Sequence, residues 1–472
     1  MEKYDVISIG GGSGGCAAAI RSADLGKKSV IIEKRNKDGI GGTCINRGCI
    51  TAKSLLKSAD TYSSMKNCKK FGVSAENVTF DLKAIVKKKN SLVKNIRFGL
   101  QNFILKSRGI EIIQGEGRCI DNHIVEVETN EGTIRLYGES IVLAAGSEPA
   151  EIPAFNIDHK SIVTSDDMLE LKELPKSALV VGGGAIGIEF AVFMASLEVD
   201  VTMVEMLPNI AATLRDEEMS LIVEQVLEKK GIRVITGTGI SSLVAEGDGI
   251  SAELDSGDCI KADMALISIG RKLNTDSLGI ETLGLEMEKG RIKVDGHMRT
   301  SVGNVYAVGD IVRGPQLSHK AQREGVVAAE AIAGMDTVMD YDVVPWAIFS
   351  KPEIAAVGLS VSEAGERGIE TMVGFLPFLA NEKANTMQEI EGGVKIVADK
   401  SDKTIIGAQI VGAEASILIG ELALAVKNRV SMEELSNTIH AHPTLSECIM
   451  EASKNGLGKA FHRSAKLNKK RR

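Results

Sequence analysis

The stretch DVISIGGGSGGCAAAIRSADLGKKSVIIEK, residues 5–34, decides the fold. Val6 to Ile9 form an apolar run of strand character that leads into a GxGxxG turn at Gly10, Gly12 and Gly15. The small residues Cys16 to Ile20 predict a helix, and SVIIE predicts a second strand ending on Glu33. In such a unit the first glycine makes the tight turn and the second lets backbone N–H groups approach a pyrophosphate at the helix N-terminus. The third permits close helix–strand packing, and the distal acid accepts from a ribose hydroxyl. All four parts are present, so this is a complete dinucleotide fingerprint.

The device recurs at residues 178–205, ALVVGGGAIGIEFAVFMASLEVDVTMVE, with Gly182, Gly184, Gly187 and Glu205. Gly10 to Glu33 and Gly182 to Glu205 each span 23 positions, so the chain carries two dinucleotide folds. Glu205 also selects between nicotinamides, because a carboxylate that accepts from the adenosine ribose repels a 2'-phosphate. NAD is expected over NADP.

Outside the two copies, GESIVLAAGSEP (138–149), with Gly146, reads as a strand leaving the first unit, and LELKELPKS (169–177) as a linker. TSVGNVYAVGDI (300–311) ends a strand on Gly309-Asp310, where the acid can reach a sugar-like chain of a cofactor. QLSHKAQREGVVAAEAIAG (316–334), which contains Ala321, then begins a helix whose positive N-terminal end suits the N1 side of a reduced flavin. From Trp346 the pattern turns to alternating strands (VKIVADK, TIIGAQIVG) and helices (SILIGELALAVKN, SMEELSNTI). The expected architecture is α/β: an FAD-binding unit at 1–145, an NAD-binding unit at 146–270, a central region at 271–345 that completes the FAD unit, and a C-terminal α+β interface domain at 346–472.

A chain of 472 residues is long enough for several such units. With a formal net charge of -7 it has no large basic surface for nucleic acid. MEKYDVISIGGG lacks the parts of a signal peptide, and no apolar run approaches the roughly 20 residues of a membrane span. A cytoplasmic protein is expected, in a compartment that keeps thiols reduced.

That expectation makes GGTCINRGCITAK (41–53) informative. Of seven cysteines only Cys44 and Cys49 lie close together, a pairing that in a reducing compartment points to redox chemistry or metal binding. Residues five apart in an ideal helix are too distant for a disulfide, so Gly48 is expected to distort the turn. A zinc site using Cys44, Cys49, His440 and His442 is the competing reading, with a spacing unusual for zinc. His442, five residues before Glu447 in HAHPTLSE, also fits an imidazole oriented by a carboxylate.

Taken together, GGGSGG, GGTCINRGC, GGGAIGIE, AVGD and HAHPTLSE fall in the order found in the flavin-dependent pyridine nucleotide-disulfide reductase family, which the chain resembles over its full length. The resemblance implies FAD and NAD as cofactors and a redox-active Cys44–Cys49 disulfide that oxidises protein-bound dihydrolipoamide. It further implies that Cys44 exchanges with the dithiol substrate, that Cys49 contacts the flavin, that Lys53 and Glu189 pair near it, and that His442 and Glu447 act as acid–base pair. Gly270 would join the NAD site. In the family His442 and Glu447 come from the partner subunit, which implies a homodimer. The lipoylated carrier is expected in trans, from a 2-oxoacid dehydrogenase complex or a glycine cleavage system. Another NAD(P)H-dependent disulfide reductase of the family is the alternative.

The chain departs from the family pattern at Thr51, Ala52 and Leu273, and at Arg47, where an apolar residue is usual. Arg47 either points at a sulfur and favours the thiolate, faces the substrate entrance, or is simply solvated. The basic tail KLNKKRR reads as a solvated end.

Overall fold

The computed structural model describes residues 1–35 and 39–459, so the basic tail lies outside the described residues. Its first sheet is built on the opening fingerprint. Strand β1 (Glu2–Ile9) runs into helix α1 (Ser13–Asp24) and back to β2 (Ser29–Glu33). The segment then forms α2 (Gly42–Arg47), α3 (Cys49–Lys66) and α4 (Leu82–Gly99) before β3 (Glu111–Gln114), β4 (Glu116–Cys119), β5 (Ile124–Thr129) and β6 (Gly132–Leu143). The spatial order is β3-β2-β1-β6-β5-β4. β3, β2, β1 and the second half of β6 are parallel, while β4, β5 and the start of β6 form an antiparallel meander.

Strand Val305–Ala307 adds to the far side of β6 in parallel, so a segment from beyond the second fingerprint finishes the sheet of the first. Every residue of β2 is buried, as expected of a parallel strand covered on both faces. Helix Ser318–Ile332 packs along α1.

The second sheet repeats the plan. Strands Arg233–Thr236, Asp200–Glu205, Ser177–Val181, Met264–Ile267 and Ile162–Val163 stand side by side in that order, all parallel. The glycines of the two turns match in conformation and packing. Gly10 and Gly182 take φ of 110° and 105°, a region open to glycine. A Cβ placed on Gly15 or Gly187 would lie 1.9 Å from the carbonyl oxygen of Gly10 or Gly182, so no other residue lets the helix sit this close to its strand. Between the two units, Leu55, Ala59 and Tyr62 of α3 share one core with Ile188, Val192 and Phe193 of helix Ala185–Ser196.

The five-stranded sheet of the C-terminal part is antiparallel throughout, in the order Trp346–Ile348, Glu353–Gly358, Ile405–Gly412, Gly393–Asp399, Thr371–Pro377. Helices Ala415–Lys427 and Glu447–Gly456 cover it. No helix among the described residues is long and apolar enough to cross a membrane.

Candidate active site

Cys44 lies in α2 and Cys49 opens α3. The helix breaks between them at Gly48, whose φ of -150° and ψ of -108° leave the helical region, the distortion expected from the five-residue spacing. A Cβ at Gly48 would come within 2.9 Å of the Thr43 carbonyl oxygen. Asn46 steadies α2 from below, its amide donating to the carbonyls of Ile40 and Gly42 at 3.0 Å each. Each thiol shifts the titration of the other. With Cys49 as donor the Cys44 thiol is brought down to about 6 against the opposing effect of burial, helped by Ser318 and by the charge of Lys53. The same interaction, then burial and the charge on Cys44, push Cys49 up. The pair therefore loses its first proton easily and holds its second.

A direct check is alkylation of the reduced protein by iodoacetamide. The Cys44 rate should rise with a midpoint near pH 6, and Cys49→Ala, which removes the S–H donor, should move that midpoint upward. A wild-type midpoint at the ordinary thiol value would contradict the geometry.

Lys53, one turn into α3, donates to both carboxylate oxygens of Glu189 at 2.7 and 2.9 Å, so the pair expected from the resemblance is formed. The Phe349 N–H donates to the same carboxylate at 3.0 Å, and the Lys53 ammonium sits 4.5 Å from the centre of the Phe349 ring. Lys53 is also the cation that acts on both sulfurs. Arg47 lines the cavity of the thiols and is held by a carboxylate. Its Nη1 donates to Asp166 Oδ2 at 2.6 Å, tying α2 to the short helix Ser165–Met168.

Two cavities meet here. One of about 580 Å³ is lined by Cys44, Cys49, Lys53, Glu189, Asp310 and Ala321. The other, of about 770 Å³, runs from Glu33 past Gly10 to Ala144–Ser147. Gly12, Thr43, Arg47, Ala144 and Gly146 line both, and so form the neck between them.

In the larger cavity Glu33 is buried, and burial pushes its carboxyl up. Its two oxygens accept from the backbone N–H of Gly11 at 2.8 Å and of Arg35 at 3.0 Å. Glu205 does the same in the second unit, accepting from Gly183 at 2.6 Å and Leu207 at 2.8 Å. Each acid thus braces its own glycine turn. Gly270, at φ 133°, follows strand Met264–Ile267 on the same side of that sheet.

Asp310 is held from both sides. Its Oδ2 accepts from the Ser147 hydroxyl at 2.5 Å, and Arg271 donates to that hydroxyl and to the Ser147 carbonyl at 2.7 Å each. Behind it, Glu324 accepts from the Gly309 N–H at 2.7 Å and Lys320 donates to the Gly309 carbonyl at 2.9 Å. Both side chains are fully buried and pair with each other at 3.2 Å. Tyr341 closes the group by donating to Glu324 at 2.7 Å.

His442 and Glu447 pair as expected, Nδ1 to Oε1 at 3.0 Å, with the Thr444 N–H on the other carboxylate oxygen at 2.8 Å. The Glu447 hydrogen bond and charge raise the imidazole above its usual value. Burial works against ionised Glu447, but Thr444 and His442 hold its carboxyl below the usual range. The imidazole is 62 % exposed, and neither residue lines the cavity of the thiols. His440 is occupied elsewhere, with Nε2 2.8 Å from Glu421 and Nδ1 3.0 Å from the Thr438 carbonyl. The zinc reading is therefore not supported: its four residues are not brought together, and no cluster among the described residues has the ligands for a metal ion.

Sequence reasoning missed Asn46, Ser147, Asp166, Arg271, Ser318 and Phe349. Asn46 finds its partners locally, and it, Ser147, Ser318 and Arg271 stood in or beside segments already singled out, whereas Asp166 and Phe349 did not.

A family model for pyridine nucleotide-disulphide oxidoreductases matches residues 4–325, and the model for their dimerisation domain matches residues 344–453. The chain belongs to this family. Among its relatives, a dihydrolipoyl dehydrogenase of Geobacillus stearothermophilus is 40% identical over 464 residues, covering 98% of this chain and 97% of that one. One from Bacillus subtilis (strain 168) is 38% identical over 469 residues, covering 98% of each. Similar solved structures include LpdA from Mycobacterium tuberculosis, with a TM-score of 0.88 and 27% identity over 96% of this chain and 99% of that one. The HOCl-induced flavoprotein disulfide reductase RclA from Escherichia coli has a TM-score of 0.83 and 26% identity over 94% and 98%.

As a pyridine nucleotide-disulphide oxidoreductase the protein uses FAD and NAD(H), and the residues fit both groups. Neither Gly12 nor Gly184, the N-caps of the two fingerprint helices, supplies a side-chain cap, so the first-turn N–H groups are left to a phosphate. An added Cβ would touch nothing within 4 Å at Gly184, and only Gly42, at 3.9 Å, at Gly12. The dimerisation domain supports a homodimer.

Proposed function

We propose that this protein is a dihydrolipoyl dehydrogenase that oxidises the dithiol of a lipoylated carrier protein with NAD+ as acceptor, through FAD and a Cys44–Cys49 disulfide. The observation that carries the reading is the thiol pair, split by Gly48, in a cavity joined by a neck to the Glu33 dinucleotide groove. FAD, when bound, supplies the two-electron exchange between thiol and hydride chemistry. The chain's own residues handle sulfur and protons. A substrate thiolate attacks the Cys44 sulfur of the disulfide, forming a mixed disulfide and releasing Cys49 as thiolate. His442 takes the proton of the second substrate thiol, which then attacks the first substrate sulfur and frees Cys44. The substrate leaves as a cyclic disulfide and the enzyme pair is left reduced. Lys53, held by Glu189, keeps a positive charge beside both sulfurs while this happens.

The homodimer gives His442 its substrate. Exposed apolar side chains on the C-terminal domain, namely Leu379, Ile417, Leu424 and Ile439, support burial of this surface against a second copy. The same reading divides the chain at 1–145, 146–270, 271–345 and 346–472 and puts it in the cytoplasm. The test is to compare NAD+ reduction by dihydrolipoamide with NADPH oxidation by glutathione disulfide. The first should be fast and the second negligible, and the reverse result would move the protein to another branch of the family.

Glu205→Arg should shift cofactor preference toward NADP by about 1 to 3 kcal/mol, the size of one charge-assisted pair in a partly buried site. Because Glu205 also braces Gly183, the ratio of kcat/KM for the two cofactors, rather than either value alone, is the measurement. A wild type that uses NADPH and NADH equally would overturn the assignment of Glu205.

A further inference from the structure

Arg47 lines the neck between the two cavities. Its companions there are Gly12, Thr43, Ala144 and Gly146. Of the neck residues it alone carries a formal charge. A dinucleotide that fills both cavities must thread this neck. Gly12 is the N-cap of α1, whose unsatisfied N–H groups and dipole attract phosphate, so the diphosphate is the part of the ligand that belongs at the neck.

The guanidinium is not free to wander. Its hydrogen bond among the described residues goes through Nη1 to Asp166 at 2.6 Å, with the two side chains only 32% and 24% exposed. One nitrogen of a planar fork is thus fixed, and the remaining N–H donors of the fork are available to a second acceptor. The charges of Asp310 and Asp166 both act on Arg271, so charges of both signs lie around the neck. An arginine there with no carboxylate to hold it would have to be ordered when the ligand arrives, at a cost in affinity.

We propose that Arg47 is an additional binding residue for the diphosphate of FAD, and that Asp166 is a positioning residue that holds the guanidinium toward the neck. The inference rests on FAD occupying the joined cavities. If the purified wild type carried no flavin, that reading would fail before this one was tested.

The experiment measures FAD affinity of the full-length protein after flavin removal, by quenching of FAD fluorescence across a range of salt concentrations. Arg47→Val should weaken FAD binding by about 10- to 100-fold, as expected for loss of a charge-assisted hydrogen bond, and should flatten its salt dependence. Arg47→Lys should recover part of the affinity and the salt dependence. Asp166→Asn should fall between wild type and Arg47→Val. Combined with Arg47→Val it should add little, because Asp166 acts through Arg47. Unchanged affinity in Arg47→Val would overturn the proposal. So would weaker binding that keeps the wild-type salt dependence, or failure of Arg47→Lys to recover any affinity, since both mark the pair as a structural tie alone.

Discussion

His442→Gln should lower dihydrolipoamide oxidation by about 100- to 10,000-fold, the range for loss of a general base, while NADH still reduces the flavin at close to the wild-type rate. The asymmetry follows from role. In the proposed mechanism His442 and Glu447, on the C-terminal domain, serve only the dithiol half of the reaction and not the nicotinamide half. Stopped-flow reduction by NADH alongside steady-state turnover separates the two. Loss of both rates would mean that His442 supports the fold or the flavin. The pH dependence gives a second reading. Turnover needs the neutral imidazole, so the rate rises as pH passes the His442 pKa, which Glu447 raises. Glu447→Gln should shift that rise to lower pH and reduce its height. Mixing His442→Gln with Cys44→Ser subunits should restore activity in hybrid dimers, one of whose sites has both intact residues. No recovery after proven subunit exchange would put both residues in a site built by one chain.

Glu324→Leu should destabilise the holoprotein by about 3 to 5 kcal/mol, the cost of leaving one charge of a buried pair without its partner. Burial alone pushes Lys320 down and Glu324 up, and each is opposed by the other's charge. Removing the carboxylate strands the ammonium, the Gly309 N–H and the Tyr341 hydroxyl together. The double variant Lys320→Met/Glu324→Leu should cost clearly less than the single one, because no unpaired charge remains. The urea midpoint of each variant is the measurement, and a single variant no less stable than the double would show that the pair is not what holds this region. Since Gly309 precedes Asp310, FAD occupancy should fall with Glu324→Leu as well.

The sequence by itself determined the two dinucleotide units, because their requirements are local. A glycine turn that excludes any Cβ, an apolar strand and an acid 23 positions on must all lie within one βαβ unit, so their spacing is visible in the chain. The break at Gly48 was legible for the same reason: five residues cannot bring two thiols together on an unbroken helix. The His442–Glu447 pair was legible too, as two residues five positions apart. Lys53–Glu189 was reached through family resemblance, and no local pattern joins residues 136 apart. What only the tertiary structure decided lies in such distant pairings. Asp166 is 119 residues from Arg47. Ser147 is 163 from Asp310. Phe349 is 160 from Glu189. In each case the partner is chosen by how sheets and helices from different segments stack, and a charged or polar side chain has no periodicity that announces which distant one it will meet. Arg47 is the clearest instance. From sequence it could face a sulfur, an entrance or solvent, and the fold gave it a carboxylate from the short helix just ahead of the linker and a place at the neck of the cofactor groove.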